Sequence, residues 1–151
     1  VGHTVLLRSD GRAVAFGNNR CGQCSIPALR EGLAYIQVSA GAAHTVLLRS
    51  DGSAIACGYN GDGQCDVPDA EPGVVYTQVA AGWHYTVLLR SDGRVVACGR
   101  NDLGQCDLPD AEDGLRYTQA AAGFAHTVLL RSDGSAVAFG DNDDGQCDVP
   151  E

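Results

Sequence analysis

The chain contains no lysine and no methionine, a single tryptophan, and only 6% aromatic residues over a length of 151. All ten of its bases are arginine, set against 19 acids for a net charge of −9. So acidic a surface repels phosphate backbones and anionic headgroups, which argues against nucleic acid or a membrane as a direct partner. No apolar run reaches the roughly 18 residues that a spanning helix needs. No secretory leader is legible at Val1, and the missing Met and the start in mid-motif read as a fragment or a processed chain. A glycine-rich phosphate loop, a nucleophile elbow and an HExxH motif are all absent, so no enzyme chemistry is expected.

What is present is repetition. The segment HTVLLRSDG begins at His3 and His44, returns as YTVLLRSDG at Tyr85, and recurs as HTVLLRSDG at His126, always 41 residues apart. A second segment appears as YIQVSAG (35–41), YTQVAAG (76–82) and YTQAAAG (117–123). The chain holds about 3.7 units in a single repeat domain, 1–151, divided as 1–43, 44–84, 85–125 and an incomplete 126–151. Its length suffices for a buried core, and its 20 glycines and 44% apolar content suit a globular protein rich in tight turns.

Each unit reads as strands. TVLLR is short, β-rich and bounded by turn residues. The Asp-Gly that follows is a strong hairpin signal, since both residues tolerate positive φ. The return strands are 13–17, 54–58, 95–99 and 136–140, each ended by glycine. A weak fourth strand is expected at an edge around Pro27, Pro68, Pro109 and Pro150, because proline cannot serve a central ladder. VLL is apolar on consecutive residues, which means a sheet covered on both faces. A small sheet of about four strands, covered on both faces and repeated every 40 residues or so, is a propeller blade. The expected fold is therefore all-β, an open arc or a ring of about four blades, with the small AAG segments where blades converge.

The pattern AAG-x-x-HTVLL-x-x-DG-x-A-x-A-x-G-x-N-x-x-GQC resembles the repeat of the regulator-of-chromosome-condensation family, also found in HERC-type ubiquitin ligases, and the likeness covers essentially the whole chain. It implies a propeller, most often of about seven blades, so 3.7 units alone do not close such a ring. The chain departs from the usual repeat in being shorter, in carrying Cys24, Cys65, Cys106 and Cys147 after Gly-Gln, and in placing Cys57 and Cys98 where Phe16 and Phe139 stand. The family includes a nucleotide exchange factor, protein-binding platforms and a photoreceptor built on stacked indoles, which a single Trp does not support. Fold alone does not choose among these.

His3, His44 and His126 form one column, broken by Tyr85. Copies on separate blades suit a structural role, with the imidazole bonded to backbone of its own blade. Cys21 and Cys24 have redox or zinc spacing. Cys21 has no counterpart at Asp62, Leu103 or Asp144, so the motif reads as chance adjacency. The seven cysteines fit a reducing intracellular compartment. DNDDGQCD (141–148) resembles a calcium loop, but counted from Asp141 its glycine falls at the fifth place instead of the sixth and there is no twelfth place for the closing Glu. No metal and no cofactor is expected. Arg8, Arg49, Arg90 and Arg131 precede Asp10, Asp51, Asp92 and Asp133 by two residues, as a clamp on the hairpin turn or, less favoured, a ring for an acidic partner tail.

Residues that break the repeat are the candidates for partner contact: Trp83, His84, Tyr85, Tyr59, Arg100 and Arg20. Aromatics and arginine are typical interface anchors; Trp83 equally suits a filler between blades. The function expected is a non-catalytic protein-binding scaffold or accessory subunit. Its partner is another protein or a second copy of the chain. The alternatives are a regulatory domain of an exchange factor or HERC-type ligase, and a metal- or redox-active Cys protein.

Overall fold

The computed structural model describes residues 2–112 and 114–150. Among these there is no helix, and so none long and apolar enough to cross a membrane. Eleven strands follow in order: β1 His3–Leu7, β2 Ala13–Gly17, β3 Tyr35–Ala40, β4 His44–Arg49, β5 Ala54–Gly58, β6 Tyr76–Ala81, β7 Tyr85–Arg90, β8 Val95–Gly99, β9 Tyr117–Ala122, β10 His126–Arg131 and β11 Ala136–Gly140. They form four antiparallel sheets: β1-β2, β3-β4-β5, β6-β7-β8 and β9-β10-β11. Each three-stranded sheet opens on Tyr35, Tyr76 or Tyr117. The sequence-unit boundaries at His44, Tyr85 and His126 therefore fall between its first two strands.

The hairpin register follows from the turn. Leu48 pairs with Ala54 and His44 with Gly58. Between them Gly52 N donates to Arg49 O at 2.9 Å, with Gly52 at φ +80°. Only glycines take positive φ among the described residues, which corrects the expectation for the aspartate. Asp51 instead keeps negative φ and accepts from Ser53 N (2.9 Å) and Ser53 Oγ (2.6 Å). It thereby caps the turn with its carboxylate rather than bending it.

The weak fourth strand does not join a ladder. Its donors and acceptors are taken locally: Asn60 Oδ1 accepts from Cys65 N at 2.8 Å, Pro68 has no N–H, and Pro68 O accepts from Tyr76 Oη at 2.8 Å.

The sheets stack in chain order. Val46 and Leu48 meet Leu88 and Val96 of the next sheet. Val87, Leu89 and Val95 meet Leu129, Val137 and Phe139 of the one after. The small-residue strands converge as expected: Val79 N donates to Gln37 Oε1 (2.8 Å), Ala81 N to Ser39 Oγ (3.0 Å) and Ala120 N to Gln78 Oε1 (2.8 Å). Identical sequence then has different fates. Leu47 and Leu88, with sheets on both sides, are 0% exposed, whereas Leu6, in the same place on the first sheet, is 51% exposed. The first and last sheets do not meet in a closed ring.

Candidate partner-binding face

The turns joining β3 to β4, β6 to β7 and β9 to β10 lie side by side. Ala42 N donates to Trp83 O (3.1 Å) and Trp83 N to Gly123 O (3.2 Å). This stacking lines up the column Ala42, Trp83, Phe124. The Trp83 and Phe124 rings lie 4.8 Å apart, tilted by 40°, a geometry of aromatic attraction. Trp83 also neighbours His84 at 6.2 Å, and His84 meets the edge of Tyr59 at 5.6 Å. His84 Nδ1 lies 2.9 Å from Asp62 Oδ2. Arg100 pairs with Asp102 through Nε at 2.8 Å, and this guanidinium holds the Asp102 carboxyl below the usual range. A small cleft of about 50 Å³ is lined by Trp83, His84, Arg100, Leu103 and Phe124. Phe124 is 61% and Leu103 48% exposed.

Four of the six candidate contacts thus come together: Trp83, His84, Tyr59 and Arg100. Trp83 is half-buried, both packed on Phe124 and open to solvent on this face. Arg20 is exposed on the first turn, where its backbone N donates to Asn18 Oδ1 (3.0 Å), and no contact joins it to the aromatic row. Tyr85 is a correction. It is 0% exposed and cannot meet a partner. Its phenol donates to His126 O, and Thr127 Oγ1 lies 3.3 Å away. Phe124, Leu103 and Asp62 were not among the candidates; Phe124 had the same signal as Trp83, a bulky ring where Ala42 stands.

Tyr85 belongs to the histidine column, whose partners also differ from expectation. His3 Nε2 and His44 Nε2 reach Thr45 Oγ1 (2.8 Å) and Thr86 Oγ1 (3.0 Å), on the next sheet rather than in their own blade's backbone. The Thr45 and Thr86 hydroxyls donate in turn to Gln23 O (2.7 Å) and Gln64 O (2.8 Å). A hydroxyl has one proton, so it must accept from the imidazole N–H. Burial pushes the His44 pKa down to about 4, with nearby His84 and His3 adding to the effect, so this link is neutral.

The arginine clamp holds in part. Arg8 pairs with Asp10 (3.1 Å) and Arg90 with Asp92 (2.7 Å), but Arg131 turns to Glu112 (3.5 Å). All seven cysteines are free thiols. Cys65 Sγ and Cys106 Sγ donate to Tyr59 O (3.3 Å) and Arg100 O (3.4 Å). Burial pushes Cys65 and Cys98 up to about 12, which makes them poor nucleophiles and metal ligands. Among the described residues no three metal-ligating side chains gather. His84 on Asp62 has the form of half a catalytic dyad, but it bonds to no hydroxyl or thiol there.

Small antiparallel sheets stacked face to face in chain order define a segment of β-propeller. The Regulator of chromosome condensation (RCC1) repeat matches at residues 1–23, 35–64, 76–105 and 117–146, and the chain belongs to that family. It is similar in fold to yeast RCC1 (Prp20) bound to Kap60, at TM-score 0.77 and 22% identity over 93% of this chain and 42% of that one. Human WBSCR16 gives TM-score 0.78 and 21% identity, over 92% and 45%. Prp20p from Saccharomyces cerevisiae, in a structure presented with its binding properties to Gsp1p and histones, gives 0.76 and 23%, over 92% and 43%. The chain spans less than half the length of these proteins. No curated protein matches it in sequence.

Proposed function

We propose that this chain is a non-catalytic protein-binding segment of a propeller, acting as a scaffold or accessory subunit. The observation that carries the reading is the row Tyr59–His84–Trp83–Phe124. Repeat-breaking aromatics lie on neighbouring turns of one face, edged by Leu103 and the Arg100–Asp102 pair. Exposed apolar rings beside paired charges are what interface anchors look like. The fold likeness to Prp20, presented with Gsp1p and histones, agrees with a protein partner. The outer face of the first sheet, with Leu6, Val14 and Phe16 exposed, is a second apolar surface. It fits another sheet of this repeat, from a second copy or from further repeats. A regulatory role in an exchange factor or HERC-type ligase draws on fold likeness alone and names no residue here. A protein recovered with the chain, once purified and titrated, should bind Trp83→Ala at least about 30-fold more weakly, as for an interface anchor worth about 2 kcal/mol. Unchanged affinity for both Trp83→Ala and Phe124→Ala would remove this face from the account.

A further inference from the structure

Beyond that face, at the far end of strand β4, the repeat leaves a charged seat without its occupant. In the third sheet Arg90 holds Glu71 with both terminal nitrogens, Nη1–Oε1 at 3.3 Å and Nη2–Oε2 at 3.2 Å. In the fourth, Arg131 reaches Glu112 at 3.5 Å. Glu71 and Glu112 sit in the same turn of the preceding loop, fixed by Val74 N to Glu71 O and Leu115 N to Glu112 O, both 2.9 Å. The second sheet repeats that turn, Leu33 N to Arg30 O at 3.1 Å, but with arginine in the glutamate's place. Arg49, the counterpart of Arg90, therefore has no loop carboxylate. Its Nε is buried without a partner, as is that of Arg131; burial raises the Tyr35 hydroxyl pKa, and the Arg49 charge lies close enough to oppose that rise and to help lower the Asp51 carboxyl. Tyr35 and Arg30 line one cavity of about 560 Å³ together with Arg12. Of the acids there, Asp10 is engaged by Arg8 and by Arg12 N, and Glu31 makes no ion pair among the described residues. The matching cavity of the next repeat carries Asp51 and Asp69 and no arginine. The surroundings agree in sign: residues 1–50 hold five arginines and two acids, residues 51–151 five arginines and 17 acids.

We infer that Arg49, beside the cleft lined by Arg30, Arg12 and Tyr35, binds a glutamate or aspartate side chain of an acidic peptide, in the place where the other repeats seat their own glutamate. Arg49 ends its strand opposite Tyr35, as Arg90 ends its strand opposite Tyr76, so it holds the same place in its sheet. Recognition of a carboxylate there needs no rearrangement of the backbone.

The test is titration of the chain with acetylated, amidated hexaglutamate, using hexaglutamine as the reference, read by calorimetry and by the NMR shift of the Arg49 Nε–H. Hexaglutamate should bind, hexaglutamine should not, and added salt should weaken the binding. Arg30→Glu fills the seat from within. It should weaken hexaglutamate at least roughly tenfold and keep or raise the thermal midpoint. Arg116→Glu, the same charge change at an exposed site elsewhere, should weaken it less than about threefold. Equal losses in the two variants, equal binding of both peptides, or a lowered midpoint in Arg30→Glu would overturn the assignment. Arg30 and Arg116 are both exposed, so neither comparison depends on a core substitution.

Discussion

Lowering the pH from 7 to 5 should cost the folded chain about 2 kcal/mol through His44 alone. His44 is 0% exposed and its Nε2–H is committed to Thr86, so burial holds its pKa near 4 against an ordinary 6.5. In the unfolded chain it titrates normally. A folded-state pKa below the unfolded one means the folded state binds fewer protons, so the stabilisation is complete above pH 6.5 and is lost as pH falls from there through 4. The full span approaches about 3 kcal/mol at 1.36 kcal/mol per pH unit, and about 2 of that is lost by pH 5. The lowered carboxyls of Asp51, Asp92 and Asp133 start from 3.8 and act only at lower pH. The assay is urea unfolding at pH 7 and pH 5 for the wild type and for His44→Tyr. Tyrosine is chosen because Tyr85 occupies the same column in the next sheet and bonds across to the following one. The difference between the two pH values should shrink by about 2 kcal/mol in the variant. The same pH dependence in both proteins would refute the neutral, intersheet histidine.

Two substitutions probe the turn and the stacking. Gly52→Ala places a methyl at φ +80° and 2.4 Å from Val75 Cβ, and should lower unfolding free energy by about 1–3 kcal/mol in urea. Leu47→Ala should lose about 2–5 kcal/mol, as for a fully buried leucine, while Leu6→Ala at the same position of the repeat should lose under about 1 kcal/mol; equal losses would deny that neighbouring sheets set burial.

Much of the fold is legible in local signals. Asp-Gly, the closing glycines and the apolar triplets place the return strands at 13–17, 54–58, 95–99 and 136–140, where the structure has them. The proline segment misleads because its apolar residue and spacing look strand-like, while its hydrogen-bonding groups are consumed by Asn60 and Tyr76. The histidine bonds are hidden for another reason. Each joins residue i to i+42, and only the stacking of one sheet on the next brings those columns together. Breaking the repeat marked Trp83, His84 and Tyr85 alike, yet a substitution signals a partner only where the column is open, and Tyr85 breaks it inside the core. The seat at Arg49 shows only when loop turns from different repeats are compared, since Arg30 by itself is an ordinary exposed arginine.

That each sheet gains its stability from the sheets on either side is tested most directly by amide hydrogen exchange along the repeated segment His-Thr-Val-Leu-Leu. The stretch at 44–48 in β4, which lies between two sheets, should be protected many-fold more strongly than the identical stretch at 3–7 in β1, which is covered on one side. Equal protection of the two would contradict the account.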